Sequence, residues 1–487
     1  MSFSLLAFFD NIWFHTILTP FIVFYLLSAV LFGSHLVSCD KFDNPVLLKS
    51  FNLFSTYFIS TMVYFFCFDF NPVDLLYFFN QNFQFFFLFF VVSILIVTRD
   101  FVISKKIVKF EYDLLFIFVI LSGVCLCFCS EFLLIYLAIE LQSLAFYVFA
   151  SFNRNSEFST ESGLKYFVFG GLMSCFLLLG LAMVYLFFGS LTFELIASLS
   201  NFKYEPLYFT GFLFVFIVFL FKVGSAPFHF WLCDVYEGSI LSVTLLFAGA
   251  PKIVLFGLIF KLCFFVLYDY SSFWSFFFGL SGILSIIVGC ISAIYQKRIK
   301  RLFAYSTIVH AGFILLAFLS CSLPSIKALI FYLVFYSFMT IALFALLINA
   351  SINFTFQPKY IINLSGVGSK NYIFALTFCI IILAIAGVPP LAGFFTKFFI
   401  LLALIGSNYF FVSFLVILFS SVACFYYIRL VKIMFFVKQV KNSFWITHNS
   451  KKNSEFIIAS FLFAIMFYFI HPDFLIALAM SISLCLF

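Results

Sequence analysis

The stretch Phe221–Tyr236 reads FKVGSAPFHFWLCDVY and decides how this chain can fold. Lys222 lies at the end of an apolar run, the sequence Gly–Ser–Ala–Pro follows shortly after it, and His229 comes next. Glycine and proline interrupt helices, because glycine loses much backbone freedom in a helix and proline lacks the amide donor. A charged side chain in apolar surroundings is costly unless it has a partner. The stretch therefore predicts a broken helix with a charge that has a specific role beside the break.

The composition of the chain requires a membrane. Of 487 residues, 65% are hydrophobic and 9% are charged, and the mean hydropathy is +1.22. These values exclude a soluble domain and predict an all-α polytopic membrane protein, because the apolar runs are continuous over about twenty residues rather than alternating over about ten. The net charge of +7 does not indicate a nucleic-acid partner, since most of the excess lies in short loops.

Fourteen apolar runs are candidate membrane-spanning helices. They cover residues 14–37, 51–70, 84–98, 113–129, 132–152, 163–188, 207–232, 240–265, 273–295, 302–320, 325–350, 372–404, 407–430 and 454–470. The tail 472–486 is also apolar, and it either continues the last helix or forms a fifteenth segment.

Basic residues predict the orientation of these helices. With the N-terminus on the outer side of the membrane, the inner loops hold 19 of the 26 lysines and arginines and the outer loops hold 2. Inner loops of membrane proteins are enriched in lysine and arginine. The asymmetry therefore supports the count of fourteen helices.

Five lysines are left inside the predicted helices, and one carboxylate accompanies them near the middle of a span. The lysines are Lys165, Lys222, Lys252, Lys261 and Lys397, and the carboxylate is Glu140. Glu140 and Lys165 are equally distant from the inner loop at 152–153. Lys222 and Lys252 are symmetric about the turn at 234–239. Since a helix rises about 1.5 Å per residue, each hairpin should bring two ionisable groups to one depth.

A second helix break is predicted at Ala386–Lys397, where the sequence AGVPPLAGFFTK again places a glycine and prolines beside a lysine. Two interrupted segments, one in each half of the chain, are typical of inverted-repeat transporters. The odd number of spans between the breaks would invert the second unit relative to the first. We therefore predict two inverted five-helix repeats in which the seventh and twelfth helices are broken.

Proton transfer is the chemistry that these residues favour. Burial disfavours the charged form of an amine and a nearby carboxylate favours it, so we interpret Glu140 and Lys165 as a switchable pair. Lys222, Lys252 and Lys397 would pass a proton along a hydrated line, with His229 and His310 as candidate relays. The sequence shows no phosphate-binding loop, nucleophile triad, flavin motif or metal-binding cluster.

The same residues also allow structural interpretations. Glu140 and Lys165 would then be an ion pair that holds two helices together. His229 would bond backbone atoms freed by the break, and His310 would be a packing group. Lys261, near an outer helix end, is expected to extend its amine to the membrane surface.

Five motifs together resemble those of subunit 2 of proton-pumping NADH:ubiquinone oxidoreductase, respiratory complex I. They are Glu140–Leu144, Asn155–Tyr166, Lys222–Gly238, Lys300–His310 and Gly387–Lys397. The resemblance runs from about residue 110 to 435, and the first hundred residues match in hydropathy alone.

The resemblance implies an antiporter-like subunit with N-terminal helices in 1–110, a first repeat in 111–265, a second in 266–435 and a C-terminal segment in 436–487. It implies a central polar axis that moves protons. Its members would be Glu140, Lys165, Lys222, Lys252 and Lys397. No cofactor or metal is expected in this chain, because FMN, iron–sulfur clusters and ubiquinone would be bound by other subunits.

The implied partners are other membrane-arm subunits, including other antiporter-like subunits, and membrane lipids. The 87 phenylalanines indicate an AT-rich genome, which favours an organelle and hence the mitochondrial inner membrane over a bacterial plasma membrane. The chain departs from the family pattern at Ser239–Leu241, where prolines are usual, and at Pro251, where a small polar residue is common.

Three alternatives stay open at this point. The chain could be a stand-alone cation/proton antiporter subunit of the same fold, a subunit 4 or 5 paralogue, or a scaffold whose polar axis is a structural relic. Lys397 argues against subunit 4, which has a glutamate there. The lack of a long C-terminal extension with a lateral helix argues against subunit 5.

Overall fold

The computed structural model describes residues 75–105, 110–200, 206–353, 359–437, 452–470 and 472–484, and these are almost entirely helical. The predicted helices at 14–37 and 51–70 lie outside the described residues, as does most of the predicted N-terminal unit 1–110.

The first half of the described chain forms nine α-helices. They are α1 (Leu75–Ser104), α2 (Phe110–Phe128), α3 (Phe132–Ala150), α4 (Glu157–Phe188), α5 (Phe193–Ser200), α6 (Pro206–Val223), α7 (Phe230–Gly238), α8 (Leu241–Ala248) and α9 (Ala250–Phe260). A π-helical turn, Lys261–Val266, and a 3-10 turn, Tyr268–Tyr270, follow α9.

The second half forms nine more. They are α10 (Ser271–Tyr295), α11 (Ile299–Ala317), α12 (Leu323–Asn353), α13 (Val367–Lys370), α14 (Tyr372–Ala386), α15 (Ala392–Gly406), α16 (Phe410–Phe436), α17 (Lys452–Phe467) and α18 (Asp473–Leu484). A 3-10 turn, Ile361–Leu364, precedes α13. Helix α18 begins after Pro472, so the apolar tail forms a helix separate from α17.

Within the described ranges, nine helical segments are long and apolar enough to cross a membrane, and four shorter apolar helices accompany them. Their positions agree with the predicted runs from residue 84 onward. The total of fourteen spans and the inverted relation of two repeats stay predictions.

The first predicted break is present between α6 and α7. Gly224 has φ +80°, a backbone conformation that glycine adopts without a steric penalty. The amides of Gly224 and Ser225 both donate to the Leu220 carbonyl. The indole Nε1 of Trp231 donates to the Phe221 carbonyl at 2.9 Å. Backbone groups freed by the break thus find partners inside the protein, as a membrane interior requires.

The second predicted break lies between α14 and α15 and repeats this geometry. Gly387 has φ +87°. The amides of Gly387 and Val388 both donate to the Leu383 carbonyl. A glycine in the left-handed region closes a helix by this pattern of bonds to carbonyls of its last turn. The apolar run 372–404 is therefore two helices of 15 residues each rather than one long span.

A third interruption was not predicted. The run 240–265, expected to be one continuous helix, is divided at Gly249 into α8 and α9. In one continuous helix the Pro251 ring would clash with the carbonyl four residues before it. Because the helix restarts at Ala250, Pro251 lies in the first turn of α9, where no amide donor is needed. Lys252 thus follows a helix start directly, instead of lying in mid-helix.

The buried centre of the bundle is built from α8, α9, α11 and α12. Every residue of α8 and α9 is buried, as are 94% of the residues in the apolar part of α12. In the apolar parts of α4 and α16 only 33% of the residues are buried. Helix α12 packs against α8, α14, α15, α17 and α18, as well as α1. Most side chains on α9, α11 and α12 are therefore enclosed by other helices.

Replacing Gly393 with alanine should destabilise the junction of α14 and α15. A Cβ at this position would overlap the carbonyl of Ala384, which is backbone and cannot move aside. We expect the stability of the folded chain to fall by about 1–3 kcal/mol, as for overpacked cores. The temperature at which the detergent-solubilised protein aggregates measures this change.

Gly171→Ala is the matched control, because a Cβ at Gly171 meets no atom within 4 Å and alanine favours the helix. Equal melting temperatures for the two variants would contradict the close approach of the two helices.

Candidate functional site

Lys252 and Tyr336 form the centre of a buried polar line. Lys252 on α9 is 4% exposed, and its Nζ donates to the hydroxyl of Tyr336 on α12 at 3.2 Å. The same ammonium lies 5.4 Å from the centroid of the Tyr336 ring. The amine is therefore held by an uncharged oxygen and an aromatic face.

His310 on α11 continues this line. Its Nδ1 is hydrogen-bonded to the hydroxyl of Tyr332 at 2.6 Å, and its ring centroid lies 5.5 Å from that of Tyr336. Tyr332 and Tyr336 are four residues apart and so share one face of α12. The imidazole thus contacts both tyrosines.

Lys397 on α15 ends the line and is tied to the second helix break. Its Nζ donates to the Ala386 carbonyl at 2.6 Å, the last carbonyl of α14. It lies 5.5 Å from the ring centroid of Phe313, and that ring lies 6.4 Å from the His310 ring. A Cβ at Gly387 would come within 3.1 Å of Nζ, so the glycine also clears the space that the amine fills.

A small cavity adjoins the middle of the line. It has a volume of about 10 Å³ and is lined by Ser306, Thr307, His310, Tyr336 and Thr340, together with apolar side chains. A volume of this size holds about one water when polar partners are present. The hydroxyls and the imidazole supply those partners.

Lys222 and Glu140 form a second part of the site. The Nζ of Lys222 is buried and has no hydrogen-bond partner among the residues that the structure describes. One oxygen of Glu140 accepts a bond from Ser143 at 3.3 Å, and the other is buried without a hydrogen-bond partner among the described residues. Lys222 and Glu140 are thus two ionisable side chains that each have an unpaired buried polar atom.

The predicted pairing of Glu140 with Lys165 is wrong. Lys165 pairs with Glu161 at 2.7 Å and with Asp234 at 2.9 Å, and its side chain is 41% exposed. Helix α4 begins at residue 157 rather than 163, so Lys165 lies only two turns from its start. Equal distance from the loop gave an approximate depth for Lys165 but not its partner, since the amine meets Glu161 on its own helix and Asp234 on α7.

Asp234 is the centre of an ion-pair network at this helix end. It pairs with Lys165 and, through its other oxygen, with Arg301 at 2.9 Å. Glu237, one turn further along α7, pairs with both Arg298 and Arg301. The network therefore joins α4 and α7 to α11.

His229 and Lys261 occupy other places than the line. His229 is 8% exposed and stacks on Phe230, with ring centroids 4.6 Å apart, directly before α7. Lys261 is 5% exposed and donates to the Cys129 carbonyl at 2.8 Å. The expectation that Lys261 reaches the membrane surface is wrong, because helix α2 ends at Phe128 and its free carbonyls offer the amine a buried partner. Among the described residues no group of His, Cys, Asp or Glu is arranged to hold a metal ion.

Sequence reasoning missed the two tyrosines of α12 and the acid at position 234. Tyr332 and Tyr336 stand four residues apart in an otherwise apolar run, and that spacing was an available signal. Asp234 lies in the stretch Phe221–Tyr236, but nothing in the sequence indicates a contact with Lys165, which is 69 residues earlier.

Comparison with known proteins finds one family throughout. The family described as NADH:quinone oxidoreductase/Mrp antiporter, TM matches residues 129–425. NADH-ubiquinone oxidoreductase chain 2 of Marchantia polymorpha is 36% identical over 413 residues, covering 83% of each chain. NADH-quinone oxidoreductase subunit N of Pelagibacter ubique is 36% identical and covers 78% of this chain and 79% of its own.

Two solved structures share the fold. A chain of respiratory complex I from Thermus thermophilus aligns with TM-score 0.73 and 24% identity, covering 94% of this chain and 98% of its own. A chain of the Mrp complex from Dietzia sp. aligns with TM-score 0.78 and 16% identity, covering 96% of each.

Changing Asp234 to asparagine should weaken the contact between α11 and its neighbours. Lys165 and Arg301 would each lose one of two carboxylate partners. Because these side chains are partly exposed, we expect a loss of about 1 kcal/mol of stability, measured by thermal aggregation.

The loss should shrink at about 1 M salt, where charges are screened over about 3 Å. Glu194→Gln, at an exposed acid on α5, serves as the control and should change little. A salt-independent loss for the Asp234 variant would show that packing, not charge, accounts for it.

Proposed function

The chain belongs to the NADH:quinone oxidoreductase/Mrp antiporter family as a complex I antiporter-like membrane subunit, and from this premise we propose that it translocates protons through its buried ionisable residues. The reaction that drives this movement would be quinone reduction elsewhere in the complex. The proposed route consists of Glu140 and Lys222 in one part and of Lys252, His310 and Lys397 in the other.

One observation carries the proposal, namely the cluster of ionisable and hydroxyl side chains in contact with one another in the most buried part of the bundle. Lys252, Tyr336, His310 and Tyr332 are linked by contacts of 3.2 Å and 2.6 Å and by the packing of two rings. A scaffold that needed only stability would bury apolar side chains here, since buried ionisable groups inside a membrane are expensive. The set therefore supports a role in moving charge.

The partners of the lysines suit reversible protonation. Lys252 and Lys397 donate to a hydroxyl and to a carbonyl, and neither is paired with a carboxylate among the described residues. An amine without a counter-ion in a dry core is not locked in its charged form. Each can therefore release its proton to a water or an imidazole and take another.

Glu140 would act on the route through Lys222. When the carboxylate is charged it favours the protonated amine, and when it is neutralised the amine releases its proton more easily. The pair thus gives the subunit a switch that a neighbouring subunit could operate by changing the charge on Glu140. Lys165, with its two carboxylate partners near the surface, is better suited to a positioning role at the inner end.

We propose no redox cofactor or metal in this chain and assign FMN, iron–sulfur clusters and ubiquinone to other subunits. The partners would be other membrane-arm subunits, including antiporter-like ones, and lipids, with no nucleic acid. We propose the mitochondrial inner membrane as the location, on the phenylalanine content and the liverwort chain 2 relative, with a bacterial plasma membrane as the alternative.

A second candidate is a stand-alone cation/proton antiporter subunit, because the fold is shared equally with a chain of an Mrp complex. The names of the relatives, chain 2 and subunit N, favour the complex I assignment over it and over a subunit 4 or 5 paralogue. Affinity purification from the native membrane distinguishes them. We expect flavin and iron–sulfur proteins to co-purify with this chain, and a preparation that lacks both would support the antiporter.

Glu140→Gln and Lys222→Met, each in the intact assembled complex, should abolish proton pumping through this subunit. The first change removes the charge that acts on Lys222, and the second removes the amine itself. Pumping is measured as acidification driven by NADH oxidation in sealed vesicles, with assembly verified on native gels.

Lys327→Met is the control, since Lys327 is in the first turn of α12 outside the proposed route. If the complexes with Glu140→Gln and with Lys222→Met both pump as many protons per NADH as the unmodified complex, the proposed role is wrong and the scaffold interpretation stands.

A further inference from the structure

Three buried lysines that donate to an oxygen atom also place their amine over an aromatic ring. The distances from Nζ to the ring centroid are 5.4 Å for Lys252 over Tyr336, 5.7 Å for Lys261 over Phe193 and 5.5 Å for Lys397 over Phe313. Within the described part of the chain, none of the three forms an ion pair with a carboxylate. The negative face of an aromatic ring attracts an ammonium within about 6 Å, and does so more strongly where water is absent. The rings are therefore the groups that favour the charged form of these amines.

The ring and the hydrogen-bond acceptor belong to different residues at Lys397 and at Lys261. Lys397 donates to the Ala386 carbonyl at 2.6 Å, and Lys261 donates to the Cys129 carbonyl at 2.8 Å. At Lys252 a single side chain, Tyr336, supplies both the oxygen and the ring. A substitution can thus remove the aromatic face and leave the acceptor in place at the first two lysines only.

Phe313 on α11 joins the amine of Lys397 to the rest of the polar line. Its side chain is 0% exposed, and its ring centroid lies 6.4 Å from that of His310 and 6.1 Å from that of Tyr332. His310 and Phe313 are three residues apart and so share one face of α11. The ring that receives the amine is therefore fixed by contacts with the imidazole and the phenol of the line.

The ionisable groups around Lys397 are few. On the helices packed against α15 they are His310 and Tyr332, which contact the Phe313 ring, and Cys424 on α16, whose Sγ donates at 3.4 Å to the carbonyl that also accepts from Lys397. Helix α14 contains no charged residue, and the charged residues of α17 are confined to its first turn. The Phe313 face is thus the main attraction for a positive charge at this end of the line.

Resting on the proposed function, we propose that Phe313 is a positioning residue that holds Lys397 in its ammonium form between proton transfers. When Lys397 gives up a proton, the N–H bond breaks, its electron pair stays on Nζ and the proton passes to a water or to His310. The neutral amine then loses its attraction to the ring, and it regains this attraction when the next proton arrives. The ring itself accepts no proton, so it sets how readily Lys397 releases one.

The test replaces Phe313 with leucine in the assembled complex and measures the protons pumped per NADH as a function of pH. Leucine is apolar but has no aromatic face, so Lys397 should release its proton at lower pH. We expect the pH at which pumping falls to half of its maximum to move down by about one unit, as for the loss of a cation–π contact away from water. Phe313→Tyr keeps the ring and should restore the original pH dependence.

Phe193→Leu is the matched control. Phe193 is 1% exposed, and it also lies beside an amine that donates to a carbonyl, but that amine belongs to Lys261, outside the proposed route. The pH dependence of pumping should therefore stay the same in this variant. Native gels and the NADH–ferricyanide activity of the redox subunits report assembly independently of proton movement. If Phe313→Leu does not assemble, Phe313→Met replaces it, because methionine also lacks a ring and fills irregular space readily.

An unchanged pH dependence in Phe313→Leu, with pumping lost in Lys222→Met, would overturn this inference and leave the proposed function standing. Full pumping in both variants would overturn both. A loss in Phe313→Leu that is equal at every pH would assign the ring a packing role only, and equal shifts in the two leucine variants would show a general effect of losing a buried ring. Either of these results also contradicts the inference.

Discussion

A lysine amine buried in an apolar helix bundle must find an oxygen atom, because an unpaired charge or donor in that environment costs several kcal/mol. The structure meets this constraint at three lysines, whereas the buried Nζ of Lys222 has no hydrogen-bond partner among the described residues. The amines of Lys252, Lys261 and Lys397 donate to a tyrosine hydroxyl and to two backbone carbonyls. The carbonyls come from helix ends, where they have no partner of their own. Interrupting a helix therefore creates the acceptor that a buried amine requires.

The charged groups of the protein are consequently of two kinds. Where lysine or arginine meets a carboxylate directly, as around Asp234, the side chains are between 13% and 59% exposed. In the dry centre, neutral oxygens replace the carboxylates. Ion pairs join α4, α7 and α11 at one end of the bundle, while the central amines of Lys252 and Lys397 have no carboxylate partner among the described residues. The proposed proton route would use only the second kind of group.

The sequence predicted the helix breaks and the buried lysines better than it predicted the partners of the charged groups. Both helix breaks followed from glycine and proline beside Lys222 and Lys397. The buried position of Lys252 followed because it is one of the five lysines that lie in no predicted loop. The partner of Lys165 did not, because equal distance from the loop at 152–153 sets depth along the helices but not which side chains face each other. Tyr332 and Tyr336 gave little signal in a chain with 24 tyrosines, since only tertiary packing decides which hydroxyls meet an amine. Pro251 divided a helix whose hydropathy alone looked continuous.

Helix α12 contributes both hydroxyls of the central line, and it packs against helices from both halves of the chain. A rotation or a slide of this one helix would lengthen the contact to Lys252 and the contact to His310 at the same moment. The two hydrogen bonds are thus coupled through the position of one helix. A displacement of α12 would therefore break or restore both hydrogen bonds as a single event.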